Sequence, residues 1–262
     1  MPAAAPPPRA PPVAARLGLI AALAVGCGEP APCDRVGAPA VRSGLPDRAP
    51  TPAWDGMLGI VTGGQPSALA RIRGRWAAQR FVQHYRGGSA GLVDDLWLAS
   101  DLRLKDSGLP MSGARLPRAL VVNVETAGKA ASARHIHAAL HAQLALRMLQ
   151  CAPFPAARWA ATAPEPPVYG QVVPPPPQDT GRTSTSPLDA ALARRTGVLH
   201  PVGLASPEAD VARYIYVWHR YPKRLSRLAA EVPAVQARVD LLHTWYVTMG
   251  EQLPILPDPA RR

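Results

Sequence analysis

Proline placement limits what this chain can fold into more than any other feature. There are 32 prolines in 262 residues, and each locks φ and removes a backbone donor. Residues 174–177 are consecutive prolines inside a Pro-rich stretch at 164–187. That stretch can enter neither a helix nor a central strand, so it is expected as an exposed insertion, disordered or polyproline in form. Pro207, Pro222 and Pro233 behave differently, because each opens an apolar-periodic run. At the first helical position a missing N–H costs nothing, so residues 207–219, 222–230 and 233–249 read as three successive helices.

Apolar residues make up 47% of the chain and aromatics 5%, enough for one core, and the length demands no second domain. Residues 66–85 set Leu69, Ile72, Trp76 and Val82 on one helical face with arginines on the other. His84, at the end of that run, reads as a surface or capping residue. Residues 92–104 put Leu96, Leu98, Leu102 and Leu104 in near-alternation, which fits either a strand or a short helix. Asp94, Asp95 and Asp101 read there as a solvated turn, since no cation-loop spacing accompanies them. The β-branched run ALVVNV at 119–124 is the clearest strand. A helix over 130–150 follows it, with Ile136, Leu140, Leu144 and Met148 as its core stripe.

The start of the chain has the form of a targeting segment. Arg9 and Arg16 precede LGLIAALAV at 17–25, an apolar run of signal-peptide length and too short for a stable membrane span. The sequence AVGC at 24–27 resembles a bacterial lipoprotein processing site, which implies lipidation of Cys27, export and attachment to the cell envelope. An ordinary secretory signal and an unprocessed lead are the alternatives. Residues 28–53 are rich in Gly, Pro and Arg without an apolar period and read as a tether, so the folded domain is expected over 54–257. Cys33 sits in that tether and Cys151 closes a helix. In an oxidising compartment they pair as one disulfide, or else Cys151 is a buried thiol; spacing does not decide.

The formal charge of +11 and the pI near 10.4 raise the question of a nucleic-acid partner. Arginine is scattered, with no basic stripe interleaved with aromatics, which argues against one. A loose attraction to anionic envelope surfaces is compatible with the charge.

The chemistry-bearing stretches are RHIHAALHAQLALRMLQ at 134–150 and SPEADVARYIYVW at 206–218. The order of strand, first helix, loop, second helix and closing helix resembles the lethal-factor-like gluzincins and the exported zinc-binding metallopeptidases, over roughly residues 54–250. In that family the first helix reads like IHHELHHQ and the second like PEEDVAEY. The resemblance implies an α+β, mostly helical, zincin-like fold with a small sheet, a zinc ion held by two histidines and a later glutamate, and a glutamate base beside the first histidine.

Residue by residue, Ile136, His137, Leu140, His141 and Gln143 match the first pattern, and Ser206, Pro207, Glu208, Asp210, Val211 and Ala212 match the second. The positions that do chemistry do not match. The two zinc histidines fall at Ala138 and Ala142, the base at Ala139, the third ligand at Ala209, the second glutamate at Arg213 and the oxyanion tyrosine at Val202. A methyl group donates no lone pair and accepts no proton, so no zinc cofactor and no peptidase activity are expected from these positions. The chain then reads as a metallopeptidase-like pseudoenzyme that binds a peptide or protein in the former substrate cleft. His137 and His141, four residues apart on one helical face, offer a residual metal site with His200 or Asp210 as further ligands, transport-like or adventitious because in that register the base position is Ala138. A rival reading is a working zinc hydrolase that uses non-family ligands such as His137 and His141. His135 and His137, two apart, share no face. A third reading is a structural envelope lipoprotein.

Overall fold

The computed structural model describes residues 33, 38–43, 60–61, 65–85, 88–104, 108, 110–116, 118–171 and 188–260. The leader with Cys27, most of the tether, Trp54 and residues 172–187 of the insertion lie outside the described residues. In chain order the first half contains β1 (Ala40–Ser43), β2 (Ile60–Val61), α1 (Ala68–His84), β3 (Asp95–Ser100), β4 (Arg103–Leu104), β5 (Gly113–Leu116), β6 (Ala119–Thr126) and β7 (Lys129–Ala130). The second half is helical, with α2 (Ala133–Cys151), α3 (Ala156–Ala160), α4 (Ala190–Thr196), α5 (Pro207–Arg220), α6 (Pro222–Glu231) and α7 (Pro233–Thr248). This is an α+β fold with a small mixed sheet.

The strand β6 is the β-branched run extended by two residues, and it lies in the middle of the sheet, ordered β1-β3-β6-β5 with β7 on the end of β6. Strands β1, β3 and β6 are parallel, pairing Val41 with Leu96 and Leu96 with Leu120, while β5 runs antiparallel. Side chains alternate across the pleat. Leu96, Leu98, Leu120, Val122 and Val124 face the main core, which is shared with the helices. Ala99, Leu102, Ala114 and Val121 face a smaller cluster, covered by Trp97 and Met111.

Helix α1 lies on the main face, and it lies close. A Cβ at Gly74 would stand 2.8 Å from Leu98 Cδ1 and 3.2 Å from Val124 Cγ1, so only a glycine permits this approach. The buried face is small around that contact, with Ala70, Gly74, Ala77 and Ala78, and ends on the larger Phe81. The larger apolar residues of the sequence pattern point outward, with Leu69 51%, Ile72 67% and Trp76 44% exposed. Volume decided which face packs, against the pattern of hydrophobicity.

Helix α2 starts at Ser132, whose side chain accepts from His135 N at 3.2 Å, and buries Ile136, Leu140, Leu144 and Met148 completely. Ser206 caps α5 in the same way through Ala209 N. Prolines stand at the starts of α5, α6 and α7, as expected. Helices α2 and α5 pack antiparallel. His135 Nδ1 lies 2.8 Å from the Tyr216 hydroxyl at one end, while Leu149 and Pro207 line one pocket at the other.

The structure corrects two readings of the sequence, the tether and the insertion, and decides two that were open, the cysteine pairing and the stretch around 95–100. Residues 40–43, assigned to the tether, form an edge strand, and Cys33 is disulfide-bonded to Cys151 with Cα atoms 5.3 Å apart. Parallel pairing with β3 satisfies a backbone that has no apolar period of its own. Residues 95–100 of the ambiguous stretch are a strand. The insertion is ordered over 164–171: Glu165 N donates to Arg195 O, Gly170 N to Ala205 O and Gln171 N to Leu204 O. An extended proline-rich segment has no internal hydrogen bonds, so its few amides pair with carbonyls of neighbouring elements.

Candidate metal centre

Residues one helical turn apart share a face, and α2 brings His137 and His141 together with their Nε2 atoms 3.2 Å apart. Two histidines from other helices join them. His84 is the last residue of α1, and His219 lies in the last turn of α5. The His141 and His219 rings stack at 3.4 Å with 9° between planes. The His84 ring stands nearly perpendicular to both, 4.9 Å from His141 and 5.2 Å from His219. One nitrogen from each of His84, His141 and His219 lies within 4.8 Å of the others.

Two features of this cluster favour a cation. His84 and His219 each sit at a helix C-terminus, where the unpaired carbonyls concentrate negative partial charge. The buried carboxylate of Glu251 accepts from Ser89 N at 2.7 Å, and its field reaches His84.

Burial holds all four imidazoles neutral. It is the first cause of the lowered pKa at His84, and the nearby Glu251 only partly opposes it. Burial, then the charges of His84 and Arg80, takes His137 down to about 4. His141 and His219 lie well below the ordinary value through burial and through the other histidines. Neutral imidazole is the ligand form. The Nε2 atoms of His84 and His219 are shut off from solvent and have no hydrogen-bond partner, an arrangement that native proteins seldom leave uncompensated. His141 Nδ1 lies 2.7 Å from the Tyr85 hydroxyl, directly after α1. That contact leaves its Nε2 for the cluster and fixes the ring, as the outer-shell partners of metal-bound histidines do.

The donor set fits a metal. A tetrahedral ion with metal–nitrogen distances of about 2.0–2.1 Å sets its ligand nitrogens about 3.3 Å apart. His137 and His141 already have that spacing, and the stacked rings of His141 and His219 would have to turn for their nitrogens to converge on one ion. Imidazoles without thiolate or ligand carboxylate suit zinc, copper, iron or nickel.

The sequence pointed to some of these residues only. It named His137 and His141 as a pair, and the structure brings them together. His84, read as a surface or capping residue, belongs to the cluster because α1 ends against α2. His219 was passed over, since nothing local marks it. His200 is elsewhere, its Nδ1 accepting from Val202 N at 3.2 Å, and Asp210 is committed to Arg238 at 2.7 Å. Ala138, Ala139 and Ala142 are packed in the protein interior at 0%, 1% and 8% exposure. Ala209 stands in the first turn of α5, about 15 Å along the axis from His219, beside a pocket of about 220 Å³ lined by Leu149, Phe154, Pro207, Glu208 and Val211. Val202 lies in the short 3₁₀ turn that precedes that end of α5. Arg213 projects from α5 over the Tyr216 ring, 5.0 Å from its centre.

The lowered pKa values carry a sign. A histidine whose folded pKa is below its unfolded value near 6.5 contributes stability that is present above that pH and lost as pH falls toward the folded pKa. In metal-free buffer with a chelator, the thermal midpoint is expected to fall between about pH 6.5 and 4. His137→Gln should make that fall shallower, as followed by circular dichroism across the series.

No family model, curated protein or solved structure matches this chain.

Proposed function

We propose that this protein holds one divalent transition-metal ion in the histidine cluster of α1, α2 and α5 and has no peptidase activity. The observation that carries the reading is the pair of solvent-shielded, unpartnered nitrogens on His84 and His219 beside His141. His137 completes a set of neutral donors on three elements. The zincin-like reading of the fold belongs to the same proposal: a strand, a helix with histidines one turn apart and a second antiparallel helix that closes the site. Peptide hydrolysis requires a carboxylate next to the first histidine to take a proton from metal-bound water. In either register that position is a buried alanine, Ala138 or Ala139. Export and lipid attachment at Cys27 complete the picture as an envelope protein.

Metal analysis tests this directly. The full chain, loaded with zinc and dialysed, is expected to retain one ion per molecule and to leave unstructured peptide substrates uncut with or without the metal. A dialysed protein that is folded and metal-free sinks the metal reading, and zinc-dependent peptide cleavage sinks the inert one.

A further inference from the structure

The outward face of α1 is an apolar stripe that the fold leaves uncovered. Leu69, Ile72 and Trp76 follow one another at helical spacing, so they share one side of the cylinder, and each is exposed. Val168, Val247 and Ile255 are also exposed, but they lie on separate elements and form no stripe.

Arginine is scattered over the chain as a whole, but on this helix the charges are arranged around the stripe. At about 100° per residue, Arg73 and Arg80 fall along one border and Arg75 along the other, with Arg71 farther round toward the buried face. The helix contains no Asp or Glu. The Arg80 guanidinium lies over Trp76, 4.9 Å from the ring centre. Arg71 donates to Pro66 O, and Arg73 to the carbonyls of Ala130 and Ala131. Bonds to carbonyls fix these groups in place and leave their charge intact. Exposed Lys129 adjoins Ala130, on the hairpin that Arg73 reaches.

We infer that this face of α1 docks the protein onto an anionic lipid surface. An apolar stripe with a tryptophan, bordered on both sides by arginines, matches the boundary between headgroups and acyl chains: leucine and isoleucine enter the apolar layer, the indole prefers the interface, and guanidinium groups bind phosphates. A second copy of the chain would present the same four arginines and repel across this face, which favours an anionic occupant. Among the described residues no helix is long and apolar enough to cross a membrane, so the contact is peripheral. Because α1 also carries His84 at its far end, the docked helix holds the histidine cluster at a fixed height above the lipid.

Co-sedimentation of the full chain with vesicles tests the inference, using mixed phosphatidylcholine and phosphatidylglycerol against phosphatidylcholine alone. The wild type is expected to partition more strongly onto the mixed vesicles than onto phosphatidylcholine alone, with an excess that falls as salt is raised. The variant Leu69→Ser/Ile72→Ser/Trp76→Ser changes exposed residues and should keep the wild-type circular dichroism and zinc content, while its partitioning falls about tenfold or more. Arg71→Gln/Arg75→Gln should weaken partitioning and flatten its salt dependence. The apolar run at 17–25 is common to every variant, so the differences report on α1 alone. Equal partitioning of wild type and triple variant overturns the inference. So does a wild type that ignores both vesicles but runs as a dimer which the triple substitution splits, since the face then belongs to a second copy.

Discussion

Replacing His141 by phenylalanine is expected to abolish metal retention, the largest functional effect that any single change in this chain should produce. His141 is the ring that the other three share. Its Nε2 lies 3.2 Å from that of His137, its face stacks on His219 and its edge meets His84. Phenylalanine fills the same space and packs against Phe81, already 5.2 Å away, so the helix interface survives while the lone pair is gone. Removing an outer-shell partner of a metal ligand typically costs 10–100-fold in affinity, and Tyr85→Phe, which loses the bond to His141 Nδ1, should fall in that range. Loss of the ligand itself should exceed it.

Thermal unfolding separates this role from a purely structural one. Saturating zinc at about 100 times its dissociation constant should stabilise the wild type by about 2.7 kcal/mol and the His141→Phe variant by nothing. The metal-free variant should unfold somewhat earlier than the metal-free wild type, because the Tyr85 hydroxyl and His137 Nε2 lose their bonds to His141, so the increment that zinc adds to each protein is the quantity to compare. A variant that gains as much from zinc as the wild type would remove His141 from the site.

The elements that could be read from the sequence are those set by local rules. Pro207, Pro222 and Pro233 announce helix starts wherever they are placed, Ile136 to Met148 recurs at helical spacing, and the strand at 119–124 needs only its β-branched run. The strand at Ala40–Ser43 has no such signature, because its hydrogen bonds come from β3, over fifty residues away. Helix α1 misled for a different reason. Its large apolar residues suggested a buried face, but the helix turns Ala70, Gly74, Ala77, Ala78 and Phe81 inward, with Gly74 against Leu98 and Val124. The candidate site divides in the same way. His137 and His141 share a helix and are visible as a pair, whereas His84 and His219 end two other helices and meet them only through packing. The chain has 7 histidines, and this scarcity was the one available hint that four in reach of one another would matter.

The largest loss of stability is expected at the far end of α5, from Asp210→Ala. Asp210 and Arg238 are both fully buried and 2.7 Å apart. Asp210 Oδ2 also accepts from Trp159 Nε1 and from the Tyr169 hydroxyl, each at 3.0 Å, so one carboxylate ties α3, the ordered part of the insertion and α7 to α5. Removing it leaves the Arg238 guanidinium buried over Trp159 and two further donors without an acceptor. Breaking a buried pair from one side costs about 3–5 kcal/mol, which urea unfolding of the dialysed protein should resolve, and the deficit should shrink as pH rises from about 4 to 6, where the wild type loses the contribution of its raised carboxyl. Arg238→Met behaves differently. Burial already raises Asp210 to about 6 even with Arg238 beside it, so without the arginine the carboxyl takes up a proton and stays in place. A carboxyl whose folded pKa is raised contributes stability that is present below its unfolded value near 3.8 and lost as pH rises through the folded value. The Arg238→Met deficit relative to wild type should therefore be smaller at about pH 5 than at about pH 7.5. Parallel pH profiles for the two variants would mean that burial does not raise the Asp210 carboxyl once Arg238 is gone.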